Sequence, residues 1–242
     1  IGLGIPAEPL FRSRDDENTY SSPITVWTGS GYEAYRPGDD DYDLAPYQAF
    51  FVQTPSSTTN ISFNANGRES YEEKEASLAA RRAARRVAAR NGANSGRLFV
   101  NLEVTVDGDS SYTDKTRVVF NNNTSMDYEQ DCDAAKFFSE SHSIDIYSLD
   151  SKGTQYAINE RPIADGKVDL GIKVNKAGSF IIDAVRMDTP VLLIDNELNL
   201  THDLSEGGYS FWATEGESNR FSLKLGDSTI TKVFEINDNT GN

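Results

Sequence analysis

From Arg97 onward the chain repeats one texture: short apolar runs of strand length, each closed by a polar turn. The runs are LFVNLEVTV (98–106), RVVF (117–120), SIDIYSL (143–149), QYAIN (155–159), KVDLGIKV (167–174), SFIIDAV (179–185), VLLID (191–195), YSFWA (209–213), RFSLKL (220–225) and TKVFEI (231–236). Turn residues separate them, as in Asp107-Gly108-Asp109, Ser151-Lys152-Gly153, Ala164-Asp165-Gly166, Lys176-Ala177-Gly178 and Glu206-Gly207-Gly208. Strands joined by short turns, with no helices between them, predict an antiparallel β-sandwich or jelly roll and exclude a doubly wound α/β fold. Upstream, Ile24–Trp27 and Tyr32–Tyr35 flank the turn Thr28-Gly29-Ser30-Gly31 and predict a hairpin. QAFFVQ (48–53) and NISF (60–63) add two strands to the same small sheet.

Between these β regions lies a different pattern. ESYEEKEASLAARRAARRVAARNG, starting at Glu69, is rich in Ala, Glu and Arg, has no Pro, and stops at Asn91-Gly92, which predicts a helix over 69–91. Glu69, Glu72, Glu73 and Glu75 precede Arg81, Arg82, Arg85, Arg86 and Arg90, the order a helix dipole favours. Its apolar stripe is mostly alanine, with Leu78 and Val87 the larger groups, so it buries little area. The expected organisation is mainly β: a smaller N-terminal β unit (1–68), an Ala/Arg/Glu-rich helical insert or linker (69–95) and a β-sandwich (96–242).

Composition adjusts this picture modestly. With 37% hydrophobic residues and 25% charged, the 242-residue chain can bury a core. The net charge of −15 repels nucleic acid and anionic lipid, and the arginines of the insert are compensated by its own glutamates. No apolar run reaches the roughly 20 residues of a membrane helix, so no direct membrane insertion is expected. The single Cys132 cannot form an internal disulfide, which suits the cytosol and many exported bacterial proteins equally. The start, Ile-Gly-Leu-Gly-Ile-Pro, reads as a processed end, and the natural protein is expected to extend upstream.

Several segments recur together in a known set of proteins. SPITVWTGSGYEAYRPGDDDYDLAPYQAFFVQ (22–53), RVVFNNNTSMDYEQDCDAAKF (117–137), IYSLDSKGTQYAINERP (146–162), VDLGIKVNKAGSFII (168–182), VLLIDNELNLTHDL (191–204) and YSFWATEGESNRFSLKL (209–225) resemble the C-terminal β-sandwich regions of exported and surface proteins of Bacteroidetes. Such regions often follow leucine-rich or other repeats and precede a type IX secretion sorting domain. The resemblance implies a secreted or surface-attached, non-catalytic module, outside the cell or on the outer-membrane surface of a Gram-negative bacterium. It implies a role in cell adhesion or as a spacer, with a protein or glycan partner at the cell surface. The chain departs from the pattern in PAEPLFRSRDDENTY (6–20) and in having no sorting domain after Asn242, which suggests a chain cut short.

Candidate chemistry is sparse. Asp39, Asp40, Asp41 and Asp43 form an acidic knot that a hard cation such as calcium could use, although the spacing is not that of an EF-hand; a solvated loop is the plainer reading. Asp127, Glu129, Asp131 and Asp133 pose the same choice, with turn capping or a short helix at Ala134–Phe138 preferred. His142 and His202 lack a companion histidine at ligand spacing, which argues against a zinc hydrolase and for surface or strand-end positions. No Gly-x-Ser-x-Gly elbow is present, and 38 acidic residues permit any number of uninformative carboxylate pairs, so no catalytic residue is assigned. Trp27, Tyr32, Tyr35 and Trp212 offer rings for sugar stacking, the basis of an alternative reading as a carbohydrate-binding module accessory to a polysaccharide-acting enzyme; Phe211 is expected in the core. Asp227-Ser228-Thr229 resembles the O-glycosylation acceptor of exported Bacteroidetes proteins, with Ser228 as acceptor.

Overall fold

A computed structural model describes residues 22–36, 39, 40, 42, 44, 48–54, 96–164 and 166–226. The expected helix at 69–91, the strand at 60–63, the strand at 231–236 and Ser228 lie outside the described residues. By compactness the described residues form two units. The first holds 22–27, the described part of 34–54, Gly96 and 130–132; the second holds 28–33, 97–129 and 133–226.

The smaller sheet is built from β1 (Ile24–Trp27), β2 (Tyr32–Tyr35) and β3 (Phe50–Val52), in the order β2-β1-β3. The predicted hairpin forms with the predicted bounds, closed by the Thr28 N–H donating to Gly31 O at 2.9 Å. β1 pairs antiparallel with β3, setting Ile24 against Val52 and Val26 against Phe50. Ile24, Val26 and Leu44 are the buried centre of this unit.

Eleven strands make the larger sheet: β4 (Arg97–Val106), β5 (Asp109–Asn121), β6 (Ala134–Ala135), β7 (Ile144–Leu149), β8 (Gln155–Arg161), β9 (Lys167–Val174), β10 (Gly178–Met187), β11 (Val191–Asp195), β12 (Leu200–Asp203), β13 (Tyr209–Ala213) and β14 (Gly216–Leu225). Their order is β12-β11-β14-β9-β7-β8-β5-β4-β10-β13, with β6 beside β8. The protein is therefore mainly β, as the apolar runs predict. Gly108, at φ 79°, supplies the left-handed turn between β4 and β5 that a side chain would resist. Two features depart from expectation. β5 and β8 run parallel, pairing Arg117 with Ile158 through Phe120 with Arg161. Ala134–Ala135, expected to open a short helix, is instead drawn into strand form, Ala134 lying opposite Ile158 and Ala135 opposite Tyr156.

One face of this sheet is apolar along nearly its whole width. Alternate residues enter it: Val100, Leu102 and Val104 from β4; Val168, Leu170, Ile172 and Val174 from β9; Phe221, Leu223 and Leu225 from β14. Each fully buried side chain of this size contributes roughly 1.5–3 kcal/mol, so this face dominates the fold's stability. The sheet curls until its two ends meet. Phe211 of β13 lies 4.8 Å from Phe221 of β14, ring centre to ring centre. At this seam Arg220 on β14 grips Asp195 on β11, with Nη2 to Oδ2 at 2.6 Å, and donates to Trp212 O on β13 at 3.0 Å. Tyr209 on β13 donates its hydroxyl to Asp195 at 2.9 Å. Burial pushes the Asp195 carboxyl up, but donors from Arg220, Leu198 and Tyr209 outweigh it and hold the group below its usual range.

Candidate functional site

The second cluster of buried charge arises where the ladder is interrupted. β7 pairs with β9 along its length, from Ile144 opposite Val174 to Leu149 opposite Asp169. With β8 it pairs only at Ser148–Tyr156 and Leu149–Gln155. β8 in turn meets β5 only at Arg117–Phe120. The early part of β7 is thus left without a strand on one edge, and a buried backbone N–H there needs another acceptor. Asp114, on β5, provides it: Oδ2 accepts the Ile146 N–H at 2.7 Å. The same oxygen takes Lys136 Nζ at 2.5 Å, and Lys136 also donates to Lys115 O at 3.1 Å. Burial pushes the Asp114 carboxyl up, with Asp145 adding to the rise and Lys136 opposing it.

His142 closes this pocket of charge. It is 4% exposed, and its Nδ1 faces Asp145 Oδ1 at 2.8 Å and the Tyr112 hydroxyl, while Nε2 faces Ser30 O. Tyr112 and His142 lie ring against ring, centroids 3.9 Å apart. The ring fits because Gly31 has no side chain: a Cβ there would stand 2.5 Å from His142 Cε1. Burial, then the nearby Asp114, Asp145 and Glu33, push the Tyr112 hydroxyl far above its ordinary range, so it stays protonated. Asp145 Oδ2 and Ser148 Oγ are buried with no hydrogen-bond partner. One atom each from Asp114, His142 and Asp145 lie within 4.8 Å of one another.

The residues singled out in the sequence fall elsewhere. Trp27, at the end of β1, is 39% exposed and Trp212, on β13, is 58% exposed, whereas Phe211 enters the core as expected. Tyr32 meets Phe137 edge to face at 5.6 Å, and Tyr35 stacks on Tyr42 at 3.9 Å. Asp39 pairs with Arg36 Nη1 at 3.2 Å and Asp40 accepts the Arg36 N–H at 2.8 Å; Asp41 and Asp43 lie outside the described residues. In the second acidic segment Asp133 ties the loop, accepting the N–H groups of Glu129 at 2.8 Å and Glu160 at 2.7 Å. Burial pushes its carboxyl up to about 6 despite those two bonds. The expectation for His142 is overturned: it is buried among charged groups because the interrupted ladder creates a polar space inside the sheet. His202 is half-buried, with Nε2 2.8 Å from Gly207 O.

Tyr112, Asp114, Lys136 and Asp145 escaped the sequence reading. Only Asp145 carried a signal there, as a charged residue inside the apolar run SIDIYSL. Among the described residues no helix is long and apolar enough to cross a membrane. No curated protein and no solved structure matches the chain. A family described as a domain of unknown function, DUF8693, matches residues 6–225, from ahead of the small sheet to the end of β14. With both sheets inside that span, the chain belongs to the DUF8693 family.

Proposed function

We propose that this chain is a non-catalytic extracellular module of a larger bacterial surface or secreted protein, serving adhesion or spacing before an anchor. The observation that carries this reading is where the reactive groups are spent. Asp114, Lys136, His142 and Asp145 are all under a tenth exposed and engaged in closing a break in the sheet. A β-sandwich of the jelly-roll kind belongs to the same proposal. Its support is the path of the chain, which passes from β9 to β10, back to β11, across to β13 and back to β14, alternating between two parts of the sheet. The Bacteroidetes resemblance supports the surface location, and the charge of −15 supports a partner other than nucleic acid. To test it, the purified chain is fixed to beads and scored for attachment to protein- and glycan-coated surfaces under flow. Polysaccharide and peptide substrates are screened in parallel. Turnover abolished by a substitution within this chain ends the non-catalytic reading.

One observation favours a second reading, a carbohydrate-binding module: Trp27 and Trp212 present rings on strands to solvent. Calorimetric titration with soluble polysaccharides should then show binding that Trp27→Ala or Trp212→Ala weakens. A panel without heat removes this reading.

A further inference from the structure

We propose that Asp114, His142 and Asp145, joined by the Tyr112 hydroxyl, form a closed structural site for a zinc ion. The argument begins at Ser30. A carbonyl oxygen only accepts, so the His142 Nε2 facing it carries the proton, and a neutral ring then turns the Nδ1 lone pair toward Asp145 Oδ1, 2.8 Å away. Two acceptors this close repel unless a proton or a cation lies between them. Three observations favour the cation. Asp145 Oδ2 is buried without a partner, and a proton shared with Nδ1 would serve only the other oxygen. The Tyr112 hydroxyl converges on the same Nδ1, bringing a third ligand atom to the place. The Nε2–H to backbone carbonyl contact is the arrangement that fixes the tautomer of metal-binding histidines.

Asp114 completes the set within the 4.8 Å cluster; Lys136 engages its Oδ2, and a carboxylate has a second oxygen to offer. One imidazole with oxygen ligands suits zinc rather than calcium, which takes oxygens only. Zinc bonds of about 2.0–2.1 Å place tetrahedral ligands roughly 3.3 Å apart, so the ion would open the Nδ1–Oδ1 contact slightly.

The test uses the full chain. It is purified without chelator and analysed for metal by mass spectrometry, then stripped with EDTA and titrated with zinc chloride while heat and melting temperature are followed. The expected result is one zinc per chain and a melting temperature that stops rising at one equivalent. His142→Gln and Asp145→Asn should each weaken zinc by more than about tenfold, and Asp39→Asn should not. Should both ligand variants fail to fold, cobalt titration of the stripped wild-type chain decides, since a tetrahedral nitrogen–oxygen site gives strong visible absorption. A chain that purifies without zinc, takes up none and gives no cobalt spectrum overturns the proposal in favour of a shared proton. Full zinc binding by a folded Asp145→Asn chain overturns it as well.

Discussion

Two buried charge clusters hold the larger sheet where its ladders stop, and they are not equally provided for. At the seam, Asp195 receives Arg220 at both oxygens, the Tyr209 hydroxyl, and the N–H groups of Glu197 and Leu198. At the break beside β7, Asp145 has one oxygen engaged and one without a partner. The first cluster is complete on the protein's own terms; the second has capacity left over. Burial alone does not distinguish them, because Asp195 is 1% exposed and Asp145 0%. What differs is the supply of donors.

The sharpest way to break the comparison is at the seam. Arg220→Ala leaves Asp195 as an uncompensated buried anion and should cost about 3–5 kcal/mol, read from urea unfolding. Next comes Asp133, another buried carboxylate, whose pKa is raised from 3.8 to about 6 because burial outweighs its two backbone donors. The folded state therefore holds this proton more tightly than the unfolded one. The group's contribution is most favourable below pH 4 and is lost as pH rises through 6, by roughly 3 kcal/mol at most. Between pH 4 and 6.5, Asp133→Asn should gain stability relative to wild type by up to that amount; a constant difference would show that the carboxyl is not raised. Gly31→Ala forces a Cβ against the His142 ring and should cost about 1–3 kcal/mol, with a smaller loss for Gly178→Ala, where a Cβ stands in ordinary contact 3.6 Å from the Phe180 ring. Smallest is Lys152→Ala. Its partner Asp127 is equally exposed, and the unfolding midpoint should not move measurably.

Sequence periodicity located most of the architecture, because a strand buried on one face must alternate or run apolar. Nine downstream apolar runs became strands β4, β5, β7 to β11, β13 and β14, and the upstream hairpin formed between the expected residues. β12, with the sequence LTHD, gave no such signal: it is an edge strand, and its outward residues need not be apolar. The parallel pairing of β5 with β8 and the meeting of the two sheet ends depend on contacts between distant segments, which local patterns do not encode. The buried site was hidden for the same reason. Asp114 stands in a polar stretch, TDKT, that no apolar run marks, and His142 in SESHS reads as a surface or strand-end residue, because the short pairing of β7 with β8 is not encoded locally.

The sheet order carries one further consequence, for mechanics. Among the described residues the first strand of the larger sheet is β4 and the last is β14, and both are interior: β4 is bonded to β5 and β10, β14 to β9 and β11. Tension applied through β4 and β14 therefore does not act on an edge strand. It must rupture two ladders at once at each of them, which raises the force needed to pull this sheet apart.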